Sequence, residues 1–289
     1  LLVPLGAALM WWIVGRALKP LGALGGELAQ RQPGSLAPLA LDPLPTEVQP
    51  LVAALNDLLE RLQVAFEQQR ALAADAAHAL RTPLAAVTLQ AQLARRAAEG
   101  PEREGALERL EAGVKRASHL VAQLLALSRL DPDAAHEPAA ALDLARLARE
   151  VADDLAALAE RARITVRTAL PPSATAVGHE AALRMAITNL LDNALRYTPA
   201  GGEVQLAVTE DAGSWRVAVS DTGPGLAADE QERVFDRFYR GRDSKAPGSG
   251  LGLAIVREVA RLHGGETFIG AGPGGRGLTV GLRLPAARP

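Results

Sequence analysis

Leu72-Ala73-Ala74-Asp75-Ala76-Ala77-His78-Ala79-Leu80-Arg81-Thr82-Pro83-Leu84 decides how the rest of the chain is read. The stretch is rich in Ala and Leu with good helix formers on both sides, so it is expected to be helical. Leu80, Leu84, Val87 and Ala91 then recur at spacings of four, three and four, making one apolar stripe. At about 100° per residue, His78 lies roughly 120–180° away from all four and faces away from the core its own helix builds. Thr82, four residues on, shares the outward face. Pro83 removes one backbone donor, so a bend is expected just after the histidine.

The totals narrow the function classes. A chain of 289 residues suffices for about two domains. Hydrophobic residues make up 48% but aromatics only 3%, so the cores must be built from Leu, Ala and Val. Ala, Leu, Arg and Glu dominate the first half, which favours long helices and coiled coils. A net charge of −2 leaves no basic footprint for nucleic acid. The absence of Cys excludes disulfides, thiol catalysis and Cys-based zinc sites, and it agrees with a cytosolic location. There is no signal peptide with a cleavage site. Residues 1–14 are uncharged and apolar, fewer than the ~20 needed to span a bilayer. Trp11 and Trp12, followed by Arg16 and Lys19, match an aromatic belt and a positive cytoplasmic flank. Because the chain begins inside this run, it is expected to be a fragment cut within a hydrophobic segment. Residues 1–15 would then end a transmembrane helix, with everything beyond facing the cytoplasm. A buried amphiphilic helix is the blander alternative.

Residues 16–70 hold a short helical pattern (Leu18, Leu21, Leu24, Leu28), a Pro-rich connector to Pro50, and a near-heptad run of Leu51, Leu55, Leu58, Leu62 and Phe66. Arg16-Ala17-Leu18-Lys19-Pro20-Leu21, then Glu47, then Leu55-Asn56-Asp57-Leu58-Leu59, resemble a HAMP linker over 16–67; a plain coiled-coil linker is the alternative. The second pattern continues without a Gly or Pro break into the His78 helix. Gly100-Pro101 ends that helix. Beyond it Leu107, Leu110, Val114, Ala117, Val121 and Leu124 alternate steps of three and four. An antiparallel hairpin over 68–134 follows, and one hairpin cannot enclose its own stripe. Two copies can, as a four-helix bundle with His78 outside, so an obligate homodimer is expected.

After a polar hinge at 131–138 the pattern becomes mixed over 135–289. Helices are expected at 142–161, 179–197 and 253–263, and strands at 164–168, 203–209, 214–220 and 278–284. Helices and antiparallel strands in separate runs indicate an α/β two-layer sandwich. Asn189 and Asn193 stand four apart on one helix face, where two amide oxygens supply part of the roughly six oxygens that magnesium takes. Asp221-Thr222-Gly223-Pro224-Gly225-Leu226 directly follows a strand, and its carboxylate can accept from an exocyclic amine while the glycines let a ring approach. Gly248-Ser249-Gly250-Leu251-Gly252-Leu253 leads into a helix, a backbone arrangement that offers N–H groups to phosphate. Taken singly, these read as surface amides, a Gly-Pro turn and a loop.

Together, and in this order, they resemble the bacterial two-component sensor histidine kinases. His78 to Leu84 is similar to the phospho-acceptor box, Asn189 to Thr198 to the N-box, Asp221 to Leu226 to the G1 box, Val234 to Arg240 to the F-box, and Gly248 to Leu253 to the G2 box. The resemblance implies a Bergerat-type ATP-binding domain of the GHKL class at 135–289. It implies ATP and Mg2+ as cofactors, the metal at Asn189 and Asn193, and nucleotide contacts from Arg196 and Tyr197. It gives Asp221 the adenine amine, with Gly223, Gly225, Gly248, Gly250, Leu251 and Gly252 forming the two glycine loops. Phe235 and Phe238 would anchor a lid over 226–247, with Arg240 and more weakly Lys245 reaching the γ-phosphate. His78 would be phosphorylated and would pass the phosphoryl group to an aspartate of a response regulator receiver domain. Thr82 would position water for phosphatase activity. The implied location is the bacterial inner membrane.

One position departs from the family. The acidic residue directly after the histidine is replaced by Ala79, and Asp75, three residues before it, is the candidate substitute base. The competing expectations are a phosphatase-biased or pseudokinase regulator that binds ATP and transfers little phosphate, an ATP-driven conformational clock, and a membrane-tethered scaffold.

Overall fold

The structure, a computed structural model, describes residues 4, 6–7, 10–12, 35–39, 48–97, 100–129, 139–241 and 248–286. The candidate membrane segment 1–15 lies mostly outside the described residues, as do residues 16–34 of the HAMP-like stretch. Among the described residues no helix is long and apolar enough to cross a membrane. The chain divides into two compact units, Leu1–Ala77 and His78–Pro289.

Helix α1, Gln49–Arg96, runs for 48 residues without interruption, and Pro83 sits inside it without ending it. In the first unit Leu39, Val48 and Val52 are buried against Leu55 and Leu59. The Asn56 side chain holds the 35–39 segment to the helix: its Oδ1 accepts from the Leu39 N–H at 2.7 Å, and its Nδ2 donates to the Leu39 carbonyl at 3.2 Å.

In the second unit α1 is followed by α2, Pro101–Arg129. Gly100 serves as its first carbonyl acceptor, taking the N–H groups of Arg103 and Glu104. A Cβ at Gly113 would lie 2.8 Å from Val87 Cγ2, so the missing side chain lets the two helices approach there.

The mixed α/β part opens with β1, Ala140–Asp143, which is followed by α3, Leu144–Asp154, and α4, Ala156–Ala162. Here the structure corrects the expected single helix over 142–161. Leu142 belongs to β1, which pairs antiparallel with β3, Thr175–Gly178. The Asp143 carboxylate caps α3 by accepting from Ala145 N–H at 2.9 Å and ties down the neighbouring loop through Ala174 N–H at 2.9 Å. Leu155, at φ −97° and ψ 0°, separates α3 from α4.

The main sheet has the order β2-β4-β5-β7-β6. Its strands are β2, Thr165–Ala169; β4, Glu203–Asp211; β5, Ser214–Asp221; β6, Glu266–Ala271; and β7, Leu278–Pro285. Strands β2 and β4 are parallel, and the other pairs are antiparallel. The β4-β5 hairpin turns on Ala212 and Gly213, both at positive φ, as a two-residue hairpin turn requires. Helix α3, helix α5 (Glu180–Tyr197) and helix α7 (Gly252–Leu262) pack on the sheet, with the four-residue α6, Ala228–Gln231, between β5 and α7. The two layers close over Leu144, Leu147, Leu183, Ile187, Leu190, Leu206, Ile255 and Leu282, each at most 2% exposed. Burial of each such side chain contributes roughly 1.5–3 kcal/mol, so aliphatic residues suffice despite the scarcity of aromatics.

Candidate functional site

Strand β5 buries Val217, Val219 and Asp221 at alternate positions. The two-residue period therefore turns the Asp221 carboxylate to the same side as the core valines. There it is 8% exposed and lines a cavity of about 560 Å3. Oδ1 accepts from the N–H groups of Gly223 at 2.8 Å and Leu278 at 3.3 Å. Burial pushes the carboxyl above its ordinary pKa, and the two backbone donors offset only part of that. Among the described residues no donor reaches Oδ2.

Helix α5 supplies the adjoining wall. Its apolar side anchors it to the sheet and to α7, and the opposite pattern presents Asn189, Asn193, Arg196 and Tyr197 to the cavity. Asn189 donates from Nδ2 to the Met185 carbonyl at 2.8 Å, which fixes the amide so that Oδ1 points outward. A Cβ on Gly252 would stand 3.1 Å from that oxygen, so glycine at the start of α7 permits the close approach. Arg196 is paired with Asp192 at 2.7 Å.

Gly248, Gly250 and Gly252 also line the cavity, ahead of and at the first residue of α7. Leu251 does not; it is fully buried behind the loop and accepts the Ile255 N–H as the helix begins. Gly225 lines the cavity at φ +74°, whereas Gly223 supports it from behind, packed on the Tyr197 carbonyl. Phe235 is buried and outside the lining. Phe238 adopts φ +61° and donates its N–H to the Gly250 carbonyl at 2.9 Å, pinning the F-box stretch to the second glycine loop. Arg240 is exposed at the cavity wall. Lys245 lies outside the described residues.

Asp75, His78 and Thr82 are exposed on α1, and none of the three lines the cavity. Among the described residues no cluster of three or more His, Cys, Asp or Glu could hold a metal. The Asn189 and Asn193 amide oxygens are the hard, neutral donors that suit a cation completing its shell with waters and phosphate.

Glu230, Leu278 and Gln123 are among the cavity residues that carry no site signal in the sequence. Glu230 is 8% exposed and accepts from the Tyr239 hydroxyl at 3.1 Å, although in sequence it resembles any solvated helix acid. Leu278 joins through its backbone, which leaves no side-chain signal. Gln123 belongs to α2 and reaches the cavity from the hairpin.

Three family models match the chain: a HAMP domain of the sensor protein PhoQ-like type at 18–64, the His Kinase A (phospho-acceptor) domain at 68–133, and the histidine kinase-, DNA gyrase B- and HSP90-like ATPase at 178–288. Sensor protein BasS of Escherichia coli K12 is 33% identical over 93% of this chain and 72% of its own length. The chain belongs to the sensor histidine kinases of two-component systems. Within that family, sensor protein kinase PmrB of Pseudomonas aeruginosa is 40% identical over the whole of this chain and 61% of its own length. This histidine kinase chain thus spans about three fifths of that relative. The structure of full-length ShkA in complex with AMPPNP is similar at 29% identity and a TM-score of 0.54, covering 76% of this chain and 46% of that one.

Proposed function

We propose that the chain binds Mg·ATP in the 560 Å3 cavity, phosphorylates His78, and passes the phosphoryl group to an aspartate of a response regulator receiver domain. One observation carries this reading: Asp221, Asn189, Asn193 and the Gly248–Gly252 loop converge on one cavity in a chain that also exposes His78 on a helix. The volume suits a nucleotide-sized ligand. The buried Asp221 carboxylate is matched to an exocyclic amine, and the glycine loop at the α7 N-terminus to phosphate oxygens. Asn189 and Asn193 would hold the magnesium ion, which neutralises phosphate charge when bound; Arg196 and Tyr197 would contact the nucleotide and Arg240 its γ-phosphate. Phe235 and Phe238 would anchor the lid.

The active form is a homodimer. In the hairpin Leu84, Leu89, Leu93, Leu107, Val121 and Leu125 are each 41–54% exposed, apolar surface that a second copy would cover as a four-helix bundle. In the first unit Leu58, Leu62 and Phe66 are exposed apolar residues at near-heptad spacing, surface of the same kind. The assigned segments are a membrane-helix end at 1–15, a HAMP-like linker at 16–67, the phosphotransfer hairpin at 68–134 and the ATP-binding domain at 135–289, attached to the bacterial inner membrane with these domains in the cytoplasm.

Ala79 favours a second reading, a regulator biased toward Thr82-assisted dephosphorylation. Incubation with γ-labelled ATP and magnesium separates the two. Acid-labile, base-stable label on the parent and none on His78→Gln supports the kinase. Nucleotide binding without label supports the phosphatase-biased regulator.

A further inference from the structure

Gln123 stands in α2, 66 residues from Asn189 and 126 from Ser249 in the chain, yet its side-chain amide bridges the two. Nε2 donates to Asn189 Oδ1 at 3.3 Å, and Oε1 accepts from the Ser249 hydroxyl at 2.6 Å. Ser249 Oγ in turn accepts the Leu251 N–H at 3.2 Å, just ahead of α7. One hairpin side chain thereby ties together the metal-capable amide and the loop that would meet phosphate.

We propose that Gln123 is a latch that holds the ATP-binding domain on the hairpin and competes with a magnesium nucleotide for Asn189; this rests on the nucleotide reading above. Asn189 turns its nitrogen to the Met185 carbonyl, so Oδ1 is the atom left for a cation. That oxygen instead faces the positive end of the Gln123 N–H dipole. A divalent cation placed against Oδ1 would stand beside the positive end of that N–H dipole and draw on the same oxygen, so the cation and the latch disfavour each other. With Asn189 lost, the bridge is left as the single hydrogen bond to Ser249, and the hold of α2 on the loop ahead of α7 is weakened. Nucleotide loading and domain release are then one linked equilibrium, and each must favour the other by the same factor. The nucleotide binds as if taxed by the latched fraction, and removing the latch removes the tax.

The test compares the complete chain with Gln123→Ala and the volume-keeping Gln123→Met, titrating ADP by calorimetry in excess magnesium and again in EDTA. Both variants are expected to bind Mg·ADP about threefold to tenfold tighter than the parent, the factor one net hydrogen bond contributes. In EDTA the affinities are expected to agree within about twofold, since the competition is for the metal-binding oxygen. Helix content by circular dichroism identifies a variant that has not folded, and the other then decides. Equal Mg·ADP affinity in parent and folded variant overturns the latch and leaves the nucleotide reading standing, as does an equal gain with and without magnesium. Failure of all chains to bind ADP overturns both.

Discussion

Gly277 passes so close beneath Asp221 that a Cβ on it would stand 1.9 Å from the Asp221 carbonyl oxygen. At φ +70° the residue delivers the Leu278 N–H to Asp221 Oδ1, so the last strand begins where the carboxylate needs its second donor. Gly277→Ala meets both the backbone clash and the positive φ. A loss of at least ~2 kcal/mol is expected from overpacking and strain combined, read as a lowered urea midpoint at unchanged slope.

Asp221→Asn separates function from stability. Burial raises the Asp221 pKa, so the ionised carboxylate is disfavoured in the folded state, and removing its charge should leave the melting temperature the same or higher at pH 7. The Asn amide would have to keep its oxygen on the Gly223 and Leu278 N–H groups, which turns a donor toward the ligand amine. ADP affinity should fall about tenfold or more, the range of one mismatched buried polar pair. Calorimetric titration of both chains, with melting curves alongside, checks the split.

His263 gives the protein an acid-sensitive corner. Its Nε2 accepts the His179 N–H at 3.0 Å at the start of α5, while Nδ1 meets the Val259 carbonyl at 2.7 Å. Burial depresses its pKa below the ordinary value of 6.5; the Val259 carbonyl works against that shift and the neighbouring His179 with it. The unfolded chain therefore takes up the proton first. The contribution of neutral His263 is complete above about pH 6.5 and is lost as the pH falls toward the depressed native pKa. Between pH 7.5 and pH 5.5 the urea midpoint should drop further in the parent than in His263→Gln.

Ala79 stands where the family resemblance implies an acidic base next to His78. Ala79→Glu is expected to raise the initial rate of His78 labelling, by up to ~10²-fold if general-base help limits it. Asp75→Asn should lower the rate in the Ala79 background. An unchanged rate in both would mean that positioning alone sets the rate.

Asp143 accepts three backbone N–H groups at the start of α3. Burial pushes its carboxyl up, but those donors together outweigh it and hold the pKa below the ordinary value. Asp143→Ala should cost about 1 kcal/mol at pH 7 by chemical denaturation. The difference between parent and variant should narrow as the pH drops below about 4, when the unfolded and then the folded carboxyl take up protons.

Much of this architecture was readable in advance, because hydrophobic periodicity is a local property. The helix through His78, the break at Gly100-Pro101, the β4-β5 hairpin and the amphipathic α5 and α7 all follow from residue spacing. Strands β1 and β3 are not legible in the sequence because each has four residues, too few to show a period, and they exist through their mutual pairing and the Asp143 bridge to Ala174. Strand β6, Glu266–Ala271, is equally hidden: it carries Gly270 and at most intermediate burial, and its partner β7 holds it in place.

By itself the sequence determined the order of the helical and mixed segments, the outward placing of His78, and the motifs that mark a nucleotide site, since these rest on local propensity, turn chemistry and spacing. Only the tertiary structure decided which atoms meet. It turned Asp221 inward by strand register, brought Leu278 to its carboxylate, buried Glu230 beside Tyr239, and laid Gln123 between Asn189 and Ser249. Those contacts join residues from 9 to 126 positions apart. Their partners are chosen by the packing of whole elements, and no local pattern records that choice.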